Sequence, residues 1–393
     1  MEAATTAQKL IISVAWPYAN GDLHLGHLTG CFLPATVFND FNRLKGNDVI
    51  MISGSDMHGT PVAVKAWKEG VAPRDYALRQ HQRHVSLLKM LGMEYSLYTS
   101  TTTKLHARVV QQLFTILLES KYIFKQKTAQ FWSETEKKFL LDRYIEGKCP
   151  HCGFEKARGD QCDNCGNTLT PDELINPYSI FGDKVLQKRE STNYYLDLPK
   201  LQPYLEKFYA QHPYKDHWRK HVWNTTQGWL ENGLEPRAIT RDMEGYGVAL
   251  PIAAEVPGED GKVIYVWFEA VSGYFTAAVE LAARQVNPLS TAAVTKSSLP
   301  QLMQPVAEAL KAYQAEKHDY IESTYPGQSL QWQDYWLDPD TKSYYFLGKD
   351  NIPFHTLIWP AMLEGINLAM ADTARLVLPW DVPANQYLNL RGG

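Results

Sequence analysis

Two groups of side chains carry chemistry in their type and spacing. The stretch "GDLHLGH" at 21–27 sets His24 and His27 three positions apart, with Gly26 just before the second. A helix beginning near His24 would hold both imidazoles on one side, a turn apart. If that helix follows a parallel strand, its free N-terminal N–H groups favour an anion, and phosphate is the natural one. Imidazole donors would stabilise charge developing on a phosphoryl group, and Gly26, without a Cβ, would let a flat base approach the backbone. The same spacing also suits ordinary surface or core histidines, or a two-histidine metal site. The second group is "CPHCGFEKARGDQCDNCG", in which Cys149, Cys152, Cys162 and Cys165 form two C-x-x-C pairs. Such pairs make knuckles whose thiolates converge on one ion, with Gly153 and Gly166 permitting the turns that follow. Four thiolates complete a tetrahedral shell, so the expected ion is a structural Zn2+ with no place for substrate. Cys31 reads as a small core residue.

Composition sets the frame. A chain of 393 residues with 45% hydrophobic and 21% charged residues is ordinary globular material, long enough for two or three domains. No apolar run is long enough to span a bilayer and the start lacks a signal-peptide core, so no membrane and a cytoplasmic location are expected. The formal net charge of −4 gives no overall basic field, although a local patch such as "HWRKHVW" at 217–223 could meet phosphates.

The elements that must position these residues follow from periodicity. "KLIISVAW", ended by Pro17 and the turn pair Asn20-Gly21, reads as a buried strand and a loop. Leu28, Phe32, Ala35 and Phe38 keep helical spacing as far as Gly46, with Pro34 as a kink. "DVIMISGSDMHGTP" gives a second buried strand over 48–53 that runs into a loop carrying Asp56 and His58. Strand, helix, strand at this spacing predicts a βαβ unit and a parallel sheet in an α/β fold. Helices are expected over 73–91 and 102–120. Between 121 and 235 the pattern breaks into short β-like pieces, the cysteine cluster and irregular aromatic-rich sequence such as "STNYYLDLPKLQPYLEKFY", which reads as an inserted domain. Strand and helix alternation resumes with "KVIYVWFEA" (262–270), "SYYFLGKD" (343–350), a helix over 353–364 and "RLVLP" (375–379). Residues 1–120 and 236–393 would then share one sheet, split by 121–235. A Ser-, Ala-, Gln- and Pro-rich surface insertion is expected at about 286–330.

With these residues in view, "AWPYANGDLHLGH" followed by "SGSDMHGTP" resembles the nucleotide-binding half of class I aminoacyl-tRNA synthetases, "HLGH" matching their HIGH signature with Leu25 for isoleucine. The paired C-x-x-C knuckle, "LEPRAITRD", "YVWFEAVSGY" and "FLGKDNIPFHTLIWPAMLEG" are similar to the methionine-specific branch of that class. The resemblance covers nearly the whole chain except 286–330. It implies a Rossmann-type parallel sheet split by an inserted connective domain with a zinc knuckle at 149–165. It implies methionine activation by ATP with Mg2+ and transfer to tRNA(Met). Asp56 would hold the amino-acid ammonium; Trp16, Pro17, Tyr18, Trp267, Ala270, Tyr274 and His355 would form the methionine pocket, aromatic walls suiting a polarizable thioether. His24, Gly26 and His27 would serve the nucleotide, His24 and His27 neutralising phosphate charge in catalysis. Gly348 and Asp350 would hold the ribose. Read without the resemblance, the aromatics are first of all core residues, Gly348 and Asp350 a strand-end turn with a helix cap, and Arg241 with Asp242 either a buried ion pair or a substrate contact.

Three departures from the family pattern stand out. Trp16 replaces a leucine common at that position, and Glu269 an aspartate, at what reads as a strand end. "NQYLNLRGG" resembles the segment leading into the KMSKS loop, and neither that loop nor a helical anticodon-binding domain follows it in the sequence. The expectation is a catalytic portion of weak activity by itself, a monomer for want of the C-terminal parts on which family dimers rely. The competing reading is a noncatalytic, zinc-bearing module that binds RNA or a partner.

Overall fold

The computed structural model describes residues 7–159, 162, 164–165, 169–211, 217–242, 246–251, 261–285, 320–322, 331–370 and 374–386. The expected insertion at 286–330 lies outside them except for 320–322, as do Gly166 and the chain beyond 386.

A parallel sheet organises the chain. Lys9–Val14 pairs in parallel with Asp48–Ser55 on one side and with Lys342–Gly348 on the other. Asp48–Ser55 continues to Leu97–Ser100, and Lys342–Gly348 to Pro379–Asp381 and Ala384–Asn385, all parallel. The two residues Ile321–Glu322 close one edge antiparallel to Leu97–Ser100. Strands from both ends of the chain therefore share one sheet, and the first strand lies between the second and a strand more than 300 residues later in sequence. This is where strand order reverses, and the crevice beyond the carboxyl ends of those strands is where ligands bind in such sheets.

Period-two side-chain alternation explains why the sheet is covered on both faces. Ile11, Ile50, Ile52 and Leu97 face one core, with the helices Lys104–Glu119, Val266–Gln285 and Trp359–Ala369 packed on it. Leu10, Ile12, Val14, Val49 and Met51 face the other, against Phe32, Ala35, Val85 and Leu88. Residues 123–242 build smaller antiparallel sheets: a long ribbon of Ile123–Ser133 with Gln187–Leu196, and a three-stranded sheet of Ile145–Lys148, Ala157–Arg158 and Ile175–Ser179 beside the cysteines.

Four local expectations are corrected. "KVIYVWFEA" is a three-residue strand, Lys262–Ile264, in a small antiparallel sheet, followed at once by the helix Val266–Gln285. Glu269 therefore sits in a helical first turn and not at a strand end. That helix is buried on nearly all sides, so its unbroken apolar run has no helical signature to distinguish it from a strand. "RLVLP" is mostly extended chain outside the sheet, and the strand starts only at Pro379. "STNYYLDLPKLQPYLEKFY" is regular: it ends the ribbon strand and forms the helix Leu198–Gln211, whose interior Pro203 disguised it. In the first helical region the irregularity is a wide π turn over Leu28–Phe32, with Pro34 at the start of the regular helix Leu33–Leu44. The helical run is continuous from Leu25 to Leu44, so the missing Pro34 N–H falls inside it, and the π turn just before is where the backbone departs from regular helix.

Trp16, directly beyond the first strand, is held where two neighbours lack side chains. A Cβ at Gly54 would stand 2.6 Å from the Trp16 ring and 2.7 Å from the Thr99 carbonyl; one at Gly273 would stand 2.9 Å from the same ring. Gly54→Ala should therefore lower the unfolding free energy by about 2 kcal/mol through overpacking. Gly228→Ala, in a helix with nothing within 4 Å of the new Cβ, should raise it by about 0.5–1 kcal/mol. Urea denaturation of the two variants checks the contrast.

Candidate active site

Beyond the carboxyl ends of the central strands, two backbone segments are joined. Asp56 N donates to Pro17 O at 2.9 Å, and Ala19 N donates to Asp56 O at 2.7 Å. This fixes Asp56 beside Tyr18 at the mouth of a cavity of about 60 Å³. The cavity is lined by Trp16, Tyr18, Asp56, Trp267, Ala270, Tyr274 and His355, with Ala15, Val271, Asn351 and Phe354. Seven of the eight residues expected for an amino-acid pocket thus surround one space. Pro17 does not line it and contributes its carbonyl to Asp56. Val271, Asn351 and Phe354 went unnoticed in the sequence, although each is a neighbour, or one turn away, of a residue that was singled out.

The polar walls are ordered. The His355 Nδ1–H donates to the Asn351 carbonyl at 2.8 Å, which leaves Nε2 to accept from the Tyr274 hydroxyl at 2.6 Å. Burial pushes His355 down to about 4, so the ring is neutral at pH 7. Trp267, partly exposed, packs against Phe354 at 4.6 Å and Tyr265 at 5.1 Å between ring centroids.

Asp56 is buried, and desolvation, with the nearby Glu269 charge second, raises its carboxyl well above the ordinary range. Glu269 behaves oppositely. Desolvation would raise it too, but His58 and His106 outweigh that and bring it down to about 2. Its Oε1 lies 2.5 Å from His58 Nδ1 and 3.4 Å from His106 Nε2, while Oε2 is buried with no hydrogen-bond partner. His58 N in turn donates to Asp56 Oδ1 at 3.3 Å.

His24 and His27 meet in a way their spacing alone does not reveal. His24 caps the helix that starts at Leu25, and its Nδ1 accepts from His27 N at 3.4 Å. His27 Nδ1 accepts from His24 N at 3.3 Å. The rings stack with centroids 3.7 Å apart. Because each Nδ1 accepts, each neutral ring carries its proton on Nε2 and presents that N–H outward. A Cβ at position 26 would stand 3.0 Å from His24 Nδ1 and Cε1, so any larger residue there would press on the stacked pair. Burial, then repulsion from His24, lowers His27 to about 4, making it a neutral donor at pH 7 rather than the counter-charge its type suggested.

Gly348 ends its strand, pairing with Asn385, and Asp350 follows in a short 3-10 turn on the surface. Arg241 and Asp242 are not paired with each other. Asp242 binds Lys262 at 2.9 and 3.0 Å, and Arg241 lies 4.1 Å over the Tyr265 ring, because successive residues of a strand face opposite ways. At the cysteine cluster all four Sγ atoms lie within 4.8 Å of one another, with Cys149–Cys165 at 3.8 Å and Cys152–Cys162 at 3.6 Å. A tetrahedral ion with Zn–S bonds of about 2.3 Å needs sulfurs about 3.8 Å apart, so the donor set fits one. Gly153, with φ +75°, makes the turn of the first knuckle. Among the described residues no helix is long and apolar enough to cross a membrane.

A roomier cavity, about 840 Å³, lies elsewhere, between the helix Thr60–Glu69 and the sheet beside the cysteines. Lys65, Lys68, Arg143, Lys156, Arg158 and Lys184 line it, against Glu146 and Asp183.

The buried neutral state of His355 gives a pH signature. Its folded value of about 4 lies below the unfolded 6.5, so the unfolded chain binds the extra proton between them. Its contribution is complete above pH 6.5 and is lost as pH falls toward 4. Between pH 7 and 5 the native protein should lose about 2 kcal/mol more stability than a His355→Gln variant, measured by urea denaturation at both pH values.

Comparison with known proteins agrees with this architecture. The family description "tRNA synthetases class I (M)" matches residues 10–296 and 306–393. A methionine–tRNA ligase of Thermomicrobium roseum is 43% identical over 386 residues, 97% of this chain and 56% of the relative. One from Thermoplasma volcanium is 39% identical over 98% of this chain and 60% of the relative. The chain thus spans somewhat over half the length of the curated relatives it matches. In fold it is similar to the Mycobacterium tuberculosis methionyl-tRNA synthetase bound by methionyl-adenylate, with a TM-score of 0.59, 18% identity, and coverage of 96% of this chain and 57% of the other. With a family match that runs over both halves of the parallel sheet and the segment between them, the chain belongs to the class I tRNA synthetases of the M group.

Proposed function

We propose that this chain carries the methionine-activating site of a methionine–tRNA ligase. The methionine carboxylate attacks the α-phosphorus of ATP, which enters as its Mg2+ complex; pyrophosphate leaves and methionyl-adenylate remains. A hydroxyl of the terminal ribose of tRNA(Met) then attacks the methionyl carbonyl, forming the ester as the bond to the adenylate phosphate breaks and AMP leaves. The observation that carries this reading is the small cavity walled by Trp16, Tyr18, Trp267, Ala270, Tyr274 and His355 with the buried Asp56 at its edge.

Each residue has a physical task in that reaction. Asp56, which burial and the Glu269 charge bias toward its neutral form, is charged fully when an ammonium arrives, which orients the amino acid. The aromatic slot takes the thioether through sulfur–ring contacts that leucine does not make. Tyr274 and the neutral His355 spend their polar atoms on each other and on Asn351, leaving an apolar wall to the side chain. His24 and His27 turn their Nε2–H groups to the phosphates, stabilising charge by hydrogen bonding, and Gly348 and Asp350 hold the ribose. Since phosphoryl chemistry of this kind asks mainly for positioning, no protein nucleophile is required.

The four cysteines hold a structural Zn2+, whose tetrahedral shell they complete. In this reading 1–120 and 236–393 form the catalytic domain and 121–235 the inserted one. The acceptor end of the tRNA runs along the basic groove of Lys65, Lys68, Arg143, Lys156, Arg158 and Lys184, and the protein works in the cytoplasm.

Two experiments test the reading. Calorimetric titration with a nonhydrolysable methionyl-adenylate analogue should give binding that the leucyl analogue does not match, weakened about 10- to 100-fold in the His24→Ala, His27→Ala double variant. A folded protein that binds neither analogue would overturn the assignment. Elemental analysis should find one zinc per chain, lost in Cys162→Ser; a stable chain without metal at the native cysteines would remove the zinc site.

A further inference from the structure

The loop that delivers His24 is held, residue by residue, by one helix. Tyr76, Arg83 and His84 all belong to the helix Pro73–Met90, at positions that share a face of it. The Tyr76 hydroxyl donates to the Asn20 carbonyl at 3.0 Å, and His84 Nε2–H to the Gly21 carbonyl at 2.7 Å. Arg83 pairs with the Asp22 carboxylate at 2.5 Å. Three consecutive loop residues are thus tied down immediately before the buried Leu23 and the capping His24.

His84 also reaches the other side of the site. Since Nε2 donates to Gly21, Nδ1 of the neutral ring accepts the Ser55 hydroxyl proton at 3.1 Å. Ser55 Oγ then accepts from the Tyr98 hydroxyl and from His81 Nδ1, each at 2.9 Å. Ser55, His81, His84 and Tyr98 are all buried, and burial lowers the His84 pKa, in keeping with a neutral ring. Ser55 directly precedes Asp56. The hydrogen-bond chain therefore runs from the strand that carries the amino-acid carboxylate to the loop that carries the phosphate donors.

We propose that Tyr76, Arg83 and His84 are positioning residues for the adenylation reaction. They fix the height of the 20–22 loop, and so place the paired imidazoles of His24 and His27 relative to Asp56. None of the three lines the amino-acid cavity. The inference rests on the reading of His24 and His27 as phosphate donors. Because the clamp acts on the loop and not on the amino-acid cavity, loosening it should weaken the nucleotide part of the ligand selectively. A purely structural role would instead lower all affinities together, in step with stability.

The test compares the full chain with Tyr76→Phe, His84→Leu and the conservative His84→Gln, whose amide can still donate to the Gly21 carbonyl. Hydrogen exchange should be about 10-fold faster for amides 23–28 in Tyr76→Phe and His84→Leu. Affinity for the methionyl-adenylate analogue should fall about 10-fold while affinity for methionine alone changes less than about 2-fold, and His84→Gln should recover most of the loss. Unchanged loop exchange, or equal losses for the analogue and for methionine, would overturn the proposal. If the native chain binds neither ligand, the functional reading fails and takes the phosphate half of this inference with it; the exchange measurement still decides whether the helix holds the loop. Should His84→Leu not fold, Tyr76→Phe, which loses one hydroxyl, decides the matter by the same two readouts.

Discussion

Two carboxylates buried in one site, Asp56 and Glu269, set the constraint on which the rest of the arrangement depends. An isolated buried charge is costly, and two of the same sign raise each other's cost. The protein resolves this asymmetrically. Glu269 has His58 at 2.5 Å and His106 at 3.4 Å and is held low, whereas the Asp56 carboxyl accepts from the His58 peptide N–H and is biased toward its neutral form. A buried carboxyl biased toward its neutral form thus sits at the edge of a small aromatic cavity. In the proposed function an amino acid brings the opposite charge on its ammonium and an apolar side chain for the cavity.

Around this carboxyl the backbone is arranged by pairings of distant segments. Asp56 is fixed to Pro17 and Ala19 by two peptide hydrogen bonds, and Trp16 fits because Gly54 and Gly273 leave it space on two sides. The leucine-to-tryptophan departure from the family pattern is accommodated by glycines contributed from a strand and from a helix more than 200 residues apart. His24 and His27 share this economy of local structure. Each satisfies the other's exposed peptide N–H, and the same two hydrogen bonds settle where each ring carries its proton.

Much of this was legible in the sequence because it is local. Apolar runs ended by Pro17 or by a Gly-containing loop marked the strands, the C-x-x-C spacing marked a metal-binding donor set, and the family-like blocks marked residues that gather round one cavity. Other parts were hidden for equally physical reasons. The helix Val266–Gln285 is buried on nearly all sides and so carries no amphipathic stripe, which made its start read as a strand and misplaced Glu269. Pro203 inside the helix Leu198–Gln211 counted against a helix that tertiary packing nevertheless sustains through the buried Leu198, Leu201, Leu205 and Tyr209.

By itself, then, the sequence determined the alternation of strands and helices, the cysteine quartet and the identity of most cavity residues, since these depend on periodicity and on spacing over a few positions. Only the tertiary structure decided which charges are paired. Arg241 and Asp242, adjacent in sequence, turn to Tyr265 and Lys262, while Glu269 finds partners at positions 58 and 106. It also decided that the two histidines cap each other and that the helix Pro73–Met90 holds their loop. These outcomes depend on distance and burial between segments far apart in the chain, and a one-dimensional pattern does not encode either quantity.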